Sequence, residues 1–354
     1  MQINSDLYRL FVGPFKKIDG TPNLDTDLST ASNKTSDCYI VSCDFWQFCD
    51  AQNKPLNYEQ AFLVVDMSQD QLLDICISRI QYSRITNIVW DHQDKQNFQE
   101  QFDWIQKQIK EKKLAKALPI SFQVGTGEVC NRLLQLMSQL IKNQAGHIYG
   151  YWKSNTGFIG STPEILCQSS PVKGYAETMA LAGTWLKKVD QKPDFLDKKI
   201  RQEHQFVIDD ILNQLKVFKT LTQKPTHVLE LPKLFHLQTN FQFQMANNND
   251  FIKAILLLHP TAALGPYPRD PYLMNVFSKF TIQKNRKKFG APFGFISNDL
   301  SKVIVAIRNL SWNKNEVYVY AGCGITSESD YMTEWTEIIH KQESVKKMLG
   351  LIHE

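Results

Sequence analysis

No two of the seven cysteines (Cys38, Cys43, Cys49, Cys76, Cys130, Cys167 and Cys323) stand in a CxxC pair, and no histidine-rich stretch accompanies them. An odd count without that spacing argues against a disulfide framework or a zinc site and suits a reducing cytoplasm. Long apolar runs are missing too. Stretches such as Ala254 to Leu258 fall far short of the ~20 residues that cross a bilayer. The first residues carry neither a basic segment nor an apolar one, so neither a membrane span nor a signal peptide is expected. Concentrated positive charge is also scarce. The net charge is +4 over 354 residues, and the basic clusters are as short as Lys112-Lys113, Lys187-Lys188 and Arg286-Lys287-Lys288. That leaves no nucleic-acid face, although a small positive excess suits an anionic small ligand. No internal repeat is visible.

What is present fits a globular chain with a large core: 43% apolar and 21% charged residues. Residues 1–60 are polar and irregular, with a turn signal at Asp19-Gly20-Thr21-Pro22-Asn23 and short strand-like runs from Cys38 and from Gln60 to Val65. Residues 70–115 read as helical, with Phe98, Phe102, Ile105 and Ile109 at helical spacing. Lys116 opens an apolar strand whose Pro119 implies an edge or a bulge. A helix over 129–142 precedes a hairpin, His147 to Lys153 and Gly157 to Cys167. Glu177 to Trp185 follows. The clearest helix runs from Phe195 to Leu215, with Ile200, Val207, Ile211 and Leu215 on one stripe. Phe251 to His259, a loop over 260–269 and the strands Phe293 to Ile296 and Val303 to Asn309 come next. Tyr318 to Ile325 is a β-type run ending in Gly-Cys-Gly, and a helix follows with Ser329 and Asp330 as cap candidates. Interleaved helices and frequent hairpins predict an α+β fold with large, mostly antiparallel sheets.

Several side chains in this plan carry possible chemistry. Glu203 falls within the apolar stripe of its helix, where a carboxylate needs a partner, a metal or a cleft; a stripe-edge glutamate reaching water is the alternative. Glu337 and Lys341 share a helix face at i,i+4, as many exposed pairs do. Two inward carboxylates on separate helices suit Mg²⁺. Arg308 ends an apolar strand and could hold a carboxylate bidentately, or sit at the surface. His259 before Pro260 could orient a ligand or cap a helix. Gly183-Thr184 could offer donors to an anion or form a plain turn. A desolvated Lys116 would be a base, and Glu177, if surrounded by apolar groups, a protonated acid; a solvated lysine and an exposed strand glutamate are the alternatives.

The motifs occur in one order: Glu177-Thr-Met-Ala-Leu-Ala-Gly-Thr184, Gln202-Glu-His-Gln-Phe-Val207, His259-Pro-Thr-Ala-Ala-Leu-Gly265, Val305-Ala-Ile-Arg308, and Tyr320-Ala-Gly-Cys-Gly-Ile325 with Glu334-Trp-Thr-Glu337 and Lys341. In that order they resemble the chorismate-utilising enzymes, which include isochorismate, salicylate, anthranilate and aminodeoxychorismate synthases. Gly160-Ser-Thr-Pro-Glu164 is similar to their Gly-Ala-Ser-Pro-Glu. The resemblance covers about residues 95–350 and leaves 1–94 as a divergent part of a single 1–354 domain.

The resemblance implies an anthranilate synthase component I-like fold, with the site between two packed sheet-and-helix halves. It places Mg²⁺ on Glu203 and Glu337. It gives Lys116 as the base that activates water at C2 of chorismate and Glu177 as the acid at the C4 hydroxyl. Arg308, Tyr320 and the backbone around Gly322 and Gly324 would hold the enolpyruvyl carboxylate. Gly183, Thr184, His259 and Lys341 would lie near substrate or metal.

Within the family, Ala182 stands where one type of aminodeoxychorismate synthase carries a nucleophilic lysine. His-Pro-Thr-Ala-Ala and Glu-Trp-Thr-Glu resemble isochorismate synthases. The implied reaction is Mg²⁺-dependent conversion of chorismate to isochorismate by a cytoplasmic monomer without a glutaminase subunit. A salicylate synthase, which also eliminates pyruvate, and a silent chorismate-binding subunit are the alternatives. The family's Lys-Val-Val-Leu-Ser-Arg is here Lys116-Ala-Leu-Pro-Ile-Ser121, without the arginine.

Overall fold

The computed structural model describes residues 9–12, 39–42, 44–46, 59–60, 88–91, 93–129, 133–143, 146–153, 155–169, 174–186, 197–230, 234–296 and 301–352. Most of the divergent N-terminal part, including the Asp19–Asn23 turn, residues 61–65 and the first part of the expected 70–115 helix, lies outside these. Within them the helix expected to end near 115 is α1, Lys95–Lys110. Its Asp94 cap accepts from Asn97 N at 3.1 Å, and Phe98, Phe102 and Ile105 are buried.

Two sheets carry the fold. The first has seven strands: β1 (Arg9–Val12), β4 (Val89–Trp90), β5 (Ile120–Thr126), β6 (His147–Lys153), β7 (Thr156–Thr162), β15 (Asn309–Asn313) and β16 (Glu316–Gly322), in the order β1-β6-β7-β15-β16-β5-β4. The second has nine: β2 (Tyr39–Ser42), β3 (Glu59–Gln60), β8 (Ile165–Ser169), β9 (Tyr175–Leu186), β10 (Thr222–Gln223), β11 (His227–Glu230), β12 (Leu234–Gln244), β13 (Pro292–Ile296) and β14 (Lys302–Val305). Only β1 with β6 pairs in parallel among the strand pairs described. The α+β expectation with mostly antiparallel sheets holds.

The sheets face each other through Tyr149, Phe158, Phe293, Phe295, Ile304 and Ala306. Helices cover the outer faces. The second of them, α2 (Leu133–Asn143), and the last, α7 (Tyr331–Met348), bury Leu136, Leu140, Ile141 and Val345 with Ile159, Leu310, Val317 and Val319 of the seven-stranded sheet. The other sheet is covered by α3 (Lys198–Leu215) and α4 (Asn248–Leu258), whose Val207, Ile211, Phe251 and Ile255 pack with Ala176, Ala180, Phe241 and Phe243. The small residues that β9 gives this core, Ala176, Ala180 and Ala182, let a helix approach closely. Two short helices, α5 (Pro271–Ser278) and α6 (Thr281–Lys284), complete the described elements.

The loop after α4 is pinned rather than loose. Asp210 of α3, which is buried, accepts from Ala262 N and from Nε and Nη2 of Arg269, each at 2.8 Å. A buried, hydrogen-bonded pair of this kind costs about 3–5 kcal/mol to break by removing one partner.

The hairpin expected over 147–167 is shorter. Its second strand, β7, ends at Thr162, and β8 begins the other sheet at Ile165. The chain therefore crosses between sheets at Pro163-Glu164. It crosses back at Ala306-Ile307-Arg308, between β14 and β15. The two crossings are hydrogen-bonded side by side: Val305 N donates to Glu164 O at 3.0 Å, and Ser161 N to Arg308 O at 3.3 Å. Arg308 takes a positive φ of 54°. Tyr149 Oη donates to the neighbouring Ile307 carbonyl at 2.6 Å, and Asn309 Nδ2 donates to Ala306 O at 2.9 Å, holding that turn.

Candidate active site

Lys116 is not inside a regular strand, as the sequence implies. It makes an isolated bridge to Tyr267, and β5 begins at Ile120. Its ammonium is buried, with 1% of the side chain exposed, and Nζ lies 3.0 Å from Oε1 of Glu203. No hydrogen bond of good geometry satisfies that Nζ among the described residues. A buried ammonium in this state is set for a further polar partner.

Glu203 reaches Lys116 from α3. Glu337, one face of α7, pairs with Lys341 at 2.6 Å, and Lys341 Nζ also donates to Gly322 O at 2.8 Å. Glu203 and Glu337 both act electrostatically on Lys199 and on Lys341. Burial opposes the Lys341 charge, but Glu337, Cys323 and Glu203 outweigh it and raise its pKa. The Gly-Cys-Gly end of β16 lies over these groups. A Cβ on Gly324 would fall 2.1 Å from Glu203 Oε1 and 2.6 Å from Lys116 Cε. A side chain there would have to displace Glu203 or Lys116, because the backbone approaches that pair directly.

Sequence reasoning missed two residues. Glu164, at the first crossing, is fully buried, and burial pushes its carboxyl up to about 7 against the opposing pull of Lys116 and Arg308. The break in the strand at Pro163 and the Gly160-Ser-Thr-Pro-Glu164 motif were the signals available. His236, on β12, is the other. Arg308 Nη2 lies 3.0 Å from its Nε2, and its Nδ1 lies 3.1 Å from Thr184 Oγ1. A guanidinium only donates, so Nε2 is the bare nitrogen and the proton sits on Nδ1. Burial, with Arg308 and Lys341 nearby, holds this imidazole neutral, its pKa well below the usual value. Burial also lowers Arg308 to about 10, countered by Glu164 and Tyr149, so it remains a cation near neutrality.

Gly183 serves this chain of contacts. The β9–β12 register slips between His236 and Leu237, leaving Gly183 as the bulged residue with φ 77°. The bulge turns Thr184 towards His236.

The structure thus gathers Lys116, Glu203, Glu337, Lys341, Gly322 and Gly324 on one side, and Arg308, Gly183 and Thr184 on the other. Glu164 couples to both Lys116 and Arg308. Three expected residues are placed elsewhere. Glu177 stands seven residues from Thr184 along extended β9, a span of roughly 20 Å, and accepts from Gln168 Nε2 and Gln242 Nε2, each at 3.2 Å. His259 is buried against Phe45, its Nε2 3.1 Å from Phe45 O, and burial drops its pKa to about 3. Tyr320 stacks on Phe289 and its hydroxyl donates to Asn285 O at 3.0 Å.

Among the described residues no three His, Cys, Asp or Glu side chains converge as a ready metal cage, and no helix is long and apolar enough to cross a membrane. Two carboxylates beneath a glycine turn, each tied to a lysine, fit a hard cation that keeps most of its waters and takes an anionic ligand besides.

A family profile described as chorismate binding enzyme matches residues 35–350. The chain belongs to that family, and the match begins well before residue 95. Among its relatives are the isochorismate synthase MenF of Escherichia coli strain K12, 30% identical over 213 residues (58% of this chain, 48% of the relative), and the salicylate biosynthesis isochorismate synthase of Pseudomonas aeruginosa, 28% identical over 222 residues (60% and 46%). The chain thus spans about half the length of these curated relatives. Among solved structures, the 2,3-dihydroxybenzoate-specific isochorismate synthase DhbC of Bacillus anthracis matches with a TM-score of 0.69 at 19% identity, over 93% of this chain and 88% of the other. The E. coli MenF structure matches with a TM-score of 0.66 at 20% identity, over 95% and 93%. At these identities the likeness bears on the fold, the anthranilate synthase component I-like architecture that the sequence resemblance implied.

Proposed function

We propose that the protein is an isochorismate synthase, converting chorismate to isochorismate with Mg²⁺. The observation that carries this reading is the seam itself: a buried lysine and a buried carboxyl with a pKa near neutrality lie together with a buried arginine. Chorismate is a dicarboxylate, and Arg308 keeps N–H donors for one carboxylate while its Nη2 is oriented by His236. Glu203 and Glu337 would hold the cation, which supplies a positive anchor for the ring carboxylate when bound.

Lys116 takes a proton from a water that adds at C2. The ring double bonds shift, and the C4–O bond breaks. Glu164 gives its proton to the departing oxygen, which leaves as water, so one water enters and one departs. Glu164 therefore replaces Glu177 in the acid role, because a carboxyl near pH 7 can be protonated at need and Glu177 is elsewhere on its sheet. Gly183, Thr184 and His236 would hold the arginine in place.

The test is incubation of the purified chain with chorismate and Mg²⁺, with chromatography of the products. Isochorismate without pyruvate is expected. Salicylate with pyruvate would move the protein to the lyase branch of the family, and unchanged chorismate would sink the enzymatic reading.

A further inference from the structure

The metal side of the site holds a third carboxylate. Glu334, in the first turn of α7, is 1% exposed and lies one turn from Glu337, on the same face. It does not join the other two. Its Oε1 is ion-paired with Nζ of Lys199, and Ser329 donates to it as well. Lys199 belongs to the first turn of α3, four residues before Glu203 and on the same helix face. A lysine there opposes the helix dipole, and the only acidic group at that helix end is the Asp197 cap. The position does not favour the helix; its gain is the contact with Glu334. Lys199 also acts on Glu203 and Glu337.

The three carboxylates are therefore each matched by a lysine: Glu203 with Lys116, Glu337 with Lys341, and Glu334 with Lys199. We propose that Lys199 is a positioning residue that withholds Glu334 from the cation and so limits the site to two carboxylate ligands. This rests on the metal reading of Glu203 and Glu337 given above. Ligand count decides which cation such a site prefers. Mg²⁺ is content with one or two carboxylates and retained water, whereas Ca²⁺ takes six to eight oxygens and gains from each added carboxylate. Without Lys199, Glu334 is a buried unpaired carboxylate one helical turn from Glu337, and a divalent cation is its natural replacement partner. Lys199 thus selects for Mg²⁺ and keeps bare-metal affinity low.

The experiment titrates the substrate-free full chain calorimetrically with MgCl₂ and, separately, CaCl₂. Lys199→Met is expected to bind Ca²⁺ about tenfold or more tightly than wild type, with a smaller change for Mg²⁺. Lys199→Arg, which keeps the pair, is expected to behave as wild type. Adding Glu334→Gln to Lys199→Met is expected to restore wild-type Ca²⁺ affinity. Unchanged or weaker Ca²⁺ binding in a folded Lys199→Met protein overturns the proposal. So does a gain that persists in the double variant, since the lost lysine charge alone would then act. Glu337→Gln separates the two levels: metal binding that survives it overturns the ligand assignment, and the role of Lys199 with it.

Discussion

Glu164 and Glu203 both neighbour Lys116, yet their surroundings are opposed. Glu164 sits where the chain passes between sheets, fully buried, and its carboxyl rises to about 7 despite Lys116 and Arg308. Glu203 rises from a helix with 17% of its side chain exposed and takes the lysine at 3.0 Å. One carboxyl is arranged to keep a proton, the other to meet a cation. The difference comes from the element that presents each. A crossing between two sheets has protein on every side, whereas a helix face at the rim leaves solvent for a hydrated cation. Residue type alone does not distinguish acid from ligand; burial and partner do.

The sharpest way to break this contrast is to neutralise each carboxylate in turn. Glu164→Gln is expected to lower turnover by about 10²–10⁴-fold with chorismate binding retained, as loss of a general acid does. Glu177→Gln, out on β9, should change turnover little. Steady-state kinetics on the pair decides the assignment, and a severe defect in Glu177→Gln alone would reverse it. On the other wall, Gly324→Ala pushes a methyl group against Glu203 Oε1. It should weaken Mg²⁺ binding by about 10–100-fold, the scale of a disturbed ligand support, read by calorimetry on the substrate-free chain; intact affinity would show that the carboxylate is not held there.

The smallest effect is on stability. The Glu164 pKa is raised from 4.5 to about 7 in the folded chain, so the protonated form favours folding. The advantage is complete below about pH 4.5 and is lost as pH rises through about 7, up to about 3 kcal/mol in all. Glu164→Gln should therefore gain a few degrees in melting temperature relative to wild type between pH 4.5 and 8. A difference that is flat across that window would mean an unperturbed carboxyl.

The helical parts of this picture were legible. α3 declares itself by the spacing of its apolar stripe and α7 by Asp330 at its cap, whose side chain accepts from Thr333 N, so Glu203, Glu337 and Lys341 could be placed on helix faces from the sequence; the start of α3 after the Asp197 cap, three residues later than Phe195, was not. The strand residues were harder. Period-two alternation says which face Glu177 takes but not how far along the sheet the site lies, and seven residues of extended chain separate it from Thr184. Glu164 was hidden because residues 157–167 read as one strand. Nothing local marks a chain that changes sheets, apart from Pro163. His236 lacked a signal of its own; only the register slip opposite Gly183 gives it Arg308 and Thr184 as partners. Tyr320 and His259 stand in the expected motifs, but long-range contacts engage the Tyr320 hydroxyl with Asn285 O and His259 Nε2 with Phe45 O.

The paired crossings also govern how the site comes into being. Asn309 pairs with Gly160 across about 150 residues of intervening chain, and closing a loop of that length costs on the order of 4 kcal/mol in chain entropy. The interval contains β8 to β14, most of the nine-stranded sheet. Such distant pairings are slow steps in assembly. Glu164 and Arg308 are the two ends. The acid and its arginine are therefore brought together by one long-range pairing, not by anything local to either.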